Sequence, residues 1–270
     1  MGFSSTEKKA NGQIQTKEFP GNPTNYRFMN PKVTVITVCY NAAPLIEETI
    51  LSVLGQDYPN LEYLIVDGAS ADGTLDIVRK YADRVKFVSE PDKGIYDAMN
   101  KGLKKATGEW VNFMNAGDYF ANDHVLSDIF GTDGQFSLCD KDRIRVIGGN
   151  TLNVFPDGHI EEHHVEPADV IPERLPFSHQ ASFVRILPNA PSFDLKYKYA
   201  ADYKMFYDLY FTYGKEAFLV LKTAIAKYRQ EDSLTMNPQN QHKIKGEYLG
   251  IQSAHRSLHW WKEYLKWRLL

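Results

Sequence analysis

Apolar runs alternate with amphipathic segments through the first half of the chain. The run at 33–38 is continuous, apolar and β-branched, and the run at 61–66 is similar. Such runs are typical of strands that are covered on both faces of a parallel sheet. Shorter apolar runs at 85–88 and 109–113 predict two further strands.

The segments between these strands have helical spacing. Pro44 suits the first turn of a helix that runs to Leu54, and Asp72 is placed to cap a second helix. A third helix is predicted from about Ile95 to Ala106, with its lysines on the outer side. Strands that alternate with helices at these lengths predict an α/β fold with a Rossmann-like, doubly wound and mostly parallel sheet. The ligands of such a sheet bind at the carboxyl ends of its strands.

The alternation breaks down after residue 120. Apolar runs at 143–147, 151–155 and 160–165 predict short strands, and Pro156-Asp157-Gly158 predicts a hairpin turn between the last two. We therefore expect the second half to extend the sheet in mixed fashion. A helix rich in aromatic residues is predicted from Tyr199 to Tyr213.

These patterns divide the chain into three parts. Residues 1–30 are polar and lack a periodic apolar face, which predicts a flexible leader. Residues 31–235 are predicted to form the main domain. Residues 236–270 are predicted to be a helical tail.

The tail combines tryptophan and tyrosine with basic residues. Six Lys or Arg stand against two Glu between His242 and Leu270, which gives +4 on a chain whose net charge is −3. This composition suits an interfacial helix beside anionic lipid, and predicts peripheral membrane contact. A helix that packs on the main domain or in a homodimer remains the alternative.

Composition limits the class of protein. The 270 residues are 43% hydrophobic and 24% charged, which is typical of a globular protein and predicts no nucleic-acid partner. Cys39 and Cys139 lack zinc-site spacing, so a reducing compartment is expected. No apolar window is long enough to span a membrane, and the N-terminus has no signal core. A cytoplasmic location is therefore predicted.

The loop after the first strand excludes the usual dinucleotide site. Residues 39–44 contain no glycine, and Pro44 has no free N–H, so the Rossmann fingerprint is missing, as is the glycine-rich phosphate loop. The phosphates of a bound nucleotide would then need a divalent cation held by a carboxylate.

Acidic residues follow successive predicted strands. Asp67 follows the second strand, Glu90 and Asp92 the third, and Asp118 the fourth. Each alone is common in loops, but parallel topology brings the four to one edge of the sheet. Such an edge can hold a metal ion and bind a base and a ribose.

Five sequence blocks together resemble glycosyltransferase family 2, whose members have the GT-A fold. The blocks are residues 35–41, 65–74, 89–102, 108–118 and 176–180. The resemblance covers about residues 31–235, and it implies a nucleotide-binding half at about 31–120 and an acceptor half at about 121–235. It implies an inverting enzyme that transfers a sugar from a nucleotide-sugar donor, most often a UDP-sugar, to an acceptor hydroxyl in polysaccharide or lipid-linked glycan synthesis. It also implies Mg²⁺ or Mn²⁺ as the cofactor.

The resemblance assigns donor-side roles to residues of the first three blocks. Thr37, Tyr40 and Asn41 would line the nucleoside pocket, and Asp67 would orient the base or ribose. Asp92 matches the nucleotide-side acid. The other matched donor-side residues are Lys93, Gly94, Asp97 and Asn115.

The remaining blocks carry the roles of metal ligand and base. Asp118 matches the last acid of the metal motif, and Asp202 matches the general base at the start of a later helix. His179 and Gln180 would lie near the donor phosphates or the acceptor, and Arg229 could meet a phosphate. A helix-cap role is the alternative for Asp202.

The chain departs from the family pattern at two places. Asp67-Gly68 replaces a pair of acids, which removes one side-chain contact to the base. The metal motif at 115–118 offers one acid, so donor oxygens and waters would have to complete an octahedral site. The thinned metal motif favours the rival interpretation of a non-catalytic nucleotide- or carbohydrate-binding subunit. A second rival, a nucleotidyltransferase, lacks its glycine-rich loop here.

Overall fold

The protein is described from a computed structural model that covers residues 30–186, 192–230 and 237–269. The predicted leader lies almost wholly outside these residues. The strands are β1 (Val33–Cys39), β2 (Leu61–Asp67), β3 (Lys86–Ser89), β4 (Trp110–Phe113), β5 (Tyr119–Phe120), β6 (Val146–Val154), β7 (Ile160–His163), β8 (Ser182–Arg185) and β9 (Phe218–Arg229). The α-helices are α1 (Ile46–Leu54), α2 (Thr74–Arg79), α3 (Ile95–Lys105), α4 (Val125–Phe130), α5 (Ala201–Tyr213), α6 (Gln241–Gln252) and α7 (Leu258–Leu269).

The strands form one sheet in the order β3-β2-β1-β4-β8-β6-β9-β5, with β7 paired to β6. The pairs among β3, β2, β1 and β4 are parallel. In the second half, β8 is antiparallel to both β4 and β6, whereas β6 and β9 are parallel. The predicted doubly wound sheet that becomes mixed in its second half is confirmed.

The central strands are buried because both faces of the sheet are covered. All seven residues of β1 are buried. Val33 and Val35 pack in a cluster with α1 and α4, and Ile36 and Val38 pack on the other face with α3 and α5. This alternation is what the strand period of two requires. The carboxyl ends of β1 and β4 are thereby held at one edge of the sheet.

Two predicted short strands are one long strand, β6. Its register shifts at Gly148–Asn150, where the pairing with β9 is irregular. A Cβ on Gly148 would lie 2.4 Å from the ring of Phe177, and one on Gly149 would lie 2.5 Å from Ile225. The two glycines between the predicted strands allow this close packing.

The tail forms two helices where the sequence predicted one. The Ser257 hydroxyl accepts the backbone N–H of Trp260 at 3.1 Å, which is the contact of a helix N-cap at the start of α7. The first tail helix, α6, lies against α5, with Tyr248 stacked on Tyr203 at a centroid distance of 4.1 Å. Within the described residues, no helix combines the length and the apolar character that crossing a membrane requires.

Candidate active site

A cleft of about 570 Å³ opens at the carboxyl ends of β1 and β4. Side chains from α3, α5, α6 and β9 complete its walls. The sequence-predicted residues that line it are Tyr40, Asn41, Asn115, Asp118, His179, Gln180, Asp202 and Arg229. The acid assigned to the metal and the acid assigned as the base therefore share one cavity.

Asp118 lies in the turn after β4, and α1 holds that turn in place. The Thr49 hydroxyl accepts the N–H of Gly117 at 2.9 Å and donates to the carbonyl of Asp118 at 2.8 Å. Gln180 Nε2 donates to Asp118 Oδ2 at 2.8 Å, and the backbone N–H of Arg229 donates to Oδ1 at 3.2 Å. Each oxygen therefore keeps one lone pair for a further ligand.

Asp118 is buried, with 5% of the residue exposed. Burial raises its pKa to about 6, against the opposing effect of the hydrogen bonds from Gln180 and Arg229. A bound cation would favour the ionised form, since an opposite charge offsets the cost of burial.

A chain of polar contacts joins Asn115 to Asp202 through His179. The Asn115 amide nitrogen lies 2.9 Å from His179 Nε2, and His179 Nδ1 lies 3.2 Å from Asp202 Oδ2. An amide that donates to Nε2 leaves the ring proton on Nδ1, from where it is donated to Asp202. The histidine ring thereby fixes the orientation of the carboxylate.

The second oxygen of Asp202 is also held. The Tyr96 hydroxyl lies 3.1 Å from Asp202 Oδ1, and it lies at the same distance from the carbonyl of Tyr199. The backbone N–H of Tyr203 donates to Oδ1 at 2.8 Å. Together with His179, these contacts fix the position of both carboxylate oxygens.

The loop after β1, which the resemblance assigns to the nucleoside, forms one side of the cleft. Tyr40 is 66% exposed there. Asn41 has a φ of +48°, and its side-chain oxygen accepts the N–H of Ala71 at 3.0 Å. These contacts fix the loop and leave the ring of Tyr40 open for stacking.

Two residues assigned to the donor are instead in the protein core. Thr37 is fully buried, and its hydroxyl lies 2.9 Å from the hydroxyl of Tyr63. Asp67 is also fully buried and accepts hydrogen bonds from the hydroxyls of Ser70 and Ser89. Neither residue lines the cleft, so their contacts with a nucleoside stay predictions.

Asp92 lies beside Tyr40 although it does not line the cleft. A Cβ on Gly68 would lie 2.5 Å from Asp92 Oδ2 and 3.3 Å from the Tyr40 ring. The glycine that replaces a second acid therefore leaves room for the carboxylate to approach this loop.

The residues after Asp92 form the start of α3. Gly94 has a φ of +120°, and its N–H donates to Asp92 Oδ1 at 2.8 Å. The N–H of Lys93 donates to Asp97 Oδ2 at 3.0 Å. Asp97 also lies 3.8 Å from Lys101. Lys93, Gly94 and Asp97 do not line the cleft, and their donor contacts stay predictions.

Two nitrogens of the Arg229 guanidinium are hydrogen-bonded to protein. Nη2 donates to Glu48 Oε2 at 2.5 Å, and Nε donates to the carbonyl of Gly117 at 3.4 Å. A guanidinium carries five N–H donors, so the predicted phosphate contact does not require the loss of the pair with Glu48. In this structure Arg229 holds Asp118 and its turn in place, through its backbone N–H and its Nε.

Sequence reasoning missed several cleft residues. They are Tyr96, Ser178, Lys198, Tyr199, Tyr228 and Tyr248. Tyr96 and Ser178 lie inside the blocks that carried the family resemblance, so a closer reading of those blocks could have found them. Tyr228 lies on β9, whose apolar run at 218–221 was a signal for the strand. Tyr248 had no local signal.

The oxygen atoms of the cleft fit a hard divalent cation that takes most of its ligands from substrate phosphates and waters. The Asp118 carboxylate supplies oxygen, and the buried side-chain oxygen of Asn115 has no hydrogen-bond partner in the described part of the chain. Among the described residues no three His, Cys, Asp or Glu side chains form a metal cluster. Mg²⁺ is commonly held by one or two carboxylates together with substrate phosphates and waters, which agrees with this sparse set.

Comparison with known sequences supports the resemblance. Residues 34–132 match the family model described as Glycosyl transferase family 2. A Bacillus subtilis protein named as a teichuronic acid biosynthesis glycosyltransferase, TuaG, is 41% identical over 106 residues, which are 38% of this chain and 41% of TuaG. A PGL/p-HBAD biosynthesis glycosyltransferase of Mycobacterium bovis is 32% identical over 114 residues, 41% of this chain and 44% of the relative. The matches thus span less than half the length of these two relatives.

Solved structures extend the likeness over most of the fold. The S. aureus protein TarS, residues 1–349 in complex with UDP-GlcNAc, has a TM-score of 0.61 at 21% identity, over 86% of this chain and 69% of that one. The mannosyltransferase PcManGT of Pyrobaculum calidifontis, in complex with GDP-Man and Mn²⁺, has a TM-score of 0.64 at 20% identity, over 84% of this chain and 66% of that one. The predicted GT-A fold is confirmed.

Proposed function

We propose that this chain, whose residues 34–132 match the model of glycosyltransferase family 2, transfers a sugar from a nucleotide-sugar donor to an acceptor hydroxyl. The acceptor is a polysaccharide or a lipid-linked glycan, and the configuration at the anomeric carbon is inverted. A UDP-sugar is the proposed donor. TarS in complex with UDP-GlcNAc supports a nucleotide-sugar ligand for this fold.

The observation that carries the proposal is the meeting of Asp118 and Asp202 on one cleft. In an inverting displacement the acceptor oxygen attacks the anomeric carbon on the face opposite the leaving group. Such a reaction needs a base at one side and stabilisation of negative charge at the other. Two acids with different surroundings meet these two needs.

On the acceptor side, Asp202 accepts the proton of the attacking hydroxyl. His179 and Tyr96 contact its two oxygens, so the carboxylate is oriented before the substrate binds. Base catalysis of this kind contributes about 10² to 10⁴ in rate.

On the donor side, Asp118 and the side-chain oxygen of Asn115 would hold Mg²⁺ or Mn²⁺. The cation supplies charge stabilisation of the leaving diphosphate. Gln180 orients the Asp118 carboxylate, and Tyr40 offers an exposed ring to the base.

The function is tested by incubating the protein with a panel of nucleotide sugars and Mn²⁺ and measuring released nucleoside diphosphate. We expect release from one donor, and faster release when extracted lipid-linked glycans are added. Calorimetric titration with the free diphosphates measures binding in parallel. Diphosphate binding without turnover of any donor, with acceptor extract present, would favour the non-catalytic binding subunit.

The exposed side of α7 supports the proposed membrane contact. Trp261 and Leu265 are 45% and 58% exposed and lie one helical turn apart. Lys262, Lys266 and Arg268 are exposed beside them. Tryptophan and leucine between basic residues suit the surface of an anionic bilayer. We accordingly place the protein in the cytoplasm, at the inner face of the membrane.

The opposite side of α7 is held against protein. Trp260 Nε1 donates to the carbonyl of Leu249 at 2.8 Å, and Trp267 Nε1 donates to that of His242 at 3.0 Å. The two interpretations of the tail are therefore compatible, because one side of α7 packs on α6 and the other is exposed.

We expect the double substitution Lys262→Glu and Lys266→Glu to abolish flotation with vesicles that contain anionic phospholipid. Each lysine near the surface contributes about 1 kcal/mol to such binding. The matched control is Lys104→Glu with Lys105→Glu, which makes the same charge change at exposed positions of α3. Flotation that is equal in both double variants would rule out this surface. A shift to dimer in sedimentation, without flotation, would favour the homodimer.

A further inference from the structure

The tail helix α6 reaches the segment that precedes α5. The carboxylate of Glu247 accepts hydrogen bonds from three consecutive backbone N–H groups. Lys198 donates to Oε1 at 2.8 Å, and Tyr199 and Ala200 donate to Oε2 at 2.8 and 2.9 Å. Hydrogen bonds to an ionised acceptor are about twice as strong as those between neutral groups.

The segment held by Glu247 is part of the cleft wall. Lys198 and Tyr199 line the cleft, and Asp202 follows within the first turn of α5. The carbonyl of Tyr199 contacts the Tyr96 hydroxyl, which also contacts Asp202. A displacement of this segment would therefore move both the wall and one of the groups that orient the Asp202 carboxylate.

The neighbouring residues of α6 strengthen the attachment. Tyr248 lines the cleft and stacks on Tyr203 with an interplanar angle of 9°. Gln252 Nε2 donates to the Tyr203 hydroxyl at 3.0 Å and to the carbonyl of Glu173 at 2.7 Å. The contacts of α6 thus converge on the beginning of the helix that carries Asp202.

We infer that Glu247 is a positioning residue of the active site and that α6 builds the acceptor-side wall of the cleft with Tyr248. The assignment of this wall to the acceptor rests on the proposed function, because it depends on Asp202 as the base. The attachment of α6 to the segment before α5 does not rest on the proposed function, because it follows from the hydrogen bonds of Glu247. The sequence-based boundary at 235 and 236 would then separate two parts of one site.

The attachment is tested by hydrogen exchange in the full chain with Glu247→Gln. We expect the amides of Lys198, Tyr199 and Ala200 to exchange at least about tenfold faster, because each loses a charge-assisted acceptor. Glu263→Gln is the matched control, since Glu263 lies in the same tail but binds Lys245 and Lys266. Unchanged exchange at 198–200, or equally faster exchange throughout the chain, would overturn the inference.

The positioning role is tested by the kinetics of diphosphate release. We expect Glu247→Gln to lower kcat by about tenfold or more while KM for the donor changes by less than about twofold, since Glu247 binds the segment before Asp202 and not the residues assigned to the donor. Glu247→Asp keeps the charge and should restore part of kcat. An unchanged kcat, or a rise of donor KM alone, would refute the role. A wild-type protein that turns over no donor would refute the proposed function instead, and the exchange experiment would still decide the attachment.

Discussion

Asp202→Asn should lower the rate of sugar transfer by about 10²- to 10⁴-fold, which is the usual contribution of a general base. The amide has nearly the shape of the carboxylate but cannot accept the proton of the acceptor hydroxyl. Donor affinity should stay within about twofold, because removal of an interaction made only in the transition state lowers kcat and leaves substrate binding intact. Initial rates and calorimetric titration with the donor measure the two quantities.

The matched control for this variant is Asp208→Asn. Asp208 lies on the same helix, its side chain is 57% exposed, and it pairs with Lys204 outside the cleft. We expect wild-type rates from it. Full activity of Asp202→Asn would show that another group takes the proton. Asp202 would then have only a structural role in the first turn of α5, where Ala200 and not Asp202 is the N-cap residue.

Asp118→Asn should weaken metal-dependent donor binding by at least about tenfold, the lower end of the losses caused by changes around metal ligands. The neutral amide attracts a divalent cation far less than the carboxylate does. Donor titrations with and without Mn²⁺ measure this effect. Asp83→Asn, at an exposed position away from the cleft, serves as the control. Equal Mn²⁺ dependence in wild type and Asp118→Asn would remove Asp118 from the metal site.

The same substitution should have the opposite effect on the stability of the metal-free protein. Burial raises the pKa of Asp118 from 3.8 to about 6, so the folded state binds more protons than the unfolded state between these values. The contribution of Asp118 is therefore fully favourable below pH 3.8 and is lost as pH rises through about 6. At pH 8 we expect Asp118→Asn to raise the free energy of unfolding by about 1–3 kcal/mol, given about 1.4 kcal/mol per pKa unit.

Denaturant unfolding at pH 5 and pH 8 in the presence of a chelator measures this difference. The gain from Asp118→Asn should be larger at pH 8, where the wild-type carboxyl is ionised. A variant that is destabilised at both values would contradict the explanation by burial. Its cause would then be sought in the hydrogen bonds from Gln180 and Arg229.

The acids at the strand ends show which part of the site local sequence patterns predict. Parallel topology predicted that Asp67, Asp92 and Asp118 lie at one edge of the sheet. Asp67 is the last residue of β2, and Asp92 and Asp118 follow β3 and β4. Only Asp118 of these three lines the cleft. The hydroxyls of Ser70 and Ser89 contact Asp67, and their positions depend on how the loop after β2 packs against the end of β3.

The general base Asp202 and the residues that contact it also show that local sequence patterns do not predict contacts between distant segments. The resemblance placed His179 and Asp202 near the reaction, but the contact between them joins two segments with no common sequence pattern. In the sequence, nothing distinguishes Glu247 from a solvent-exposed glutamate of an amphipathic helix. Its contact with the backbone at 198–200 spans 47 to 49 residues, and no local periodicity encodes such a distance.

The sequence by itself determined the strands and helices of the first half, the doubly wound sheet and the edge of that sheet where acids collect. These follow from residue periodicity and strand polarity, which are properties of short segments. Only the tertiary structure decided which acids face the cleft, that β9 brings Arg229 beside Asp118, and that the tail contributes to the wall next to Asp202. The burial and hydrogen bonds of a side chain depend on chain segments far apart in sequence, and those segments meet only when the whole core has packed.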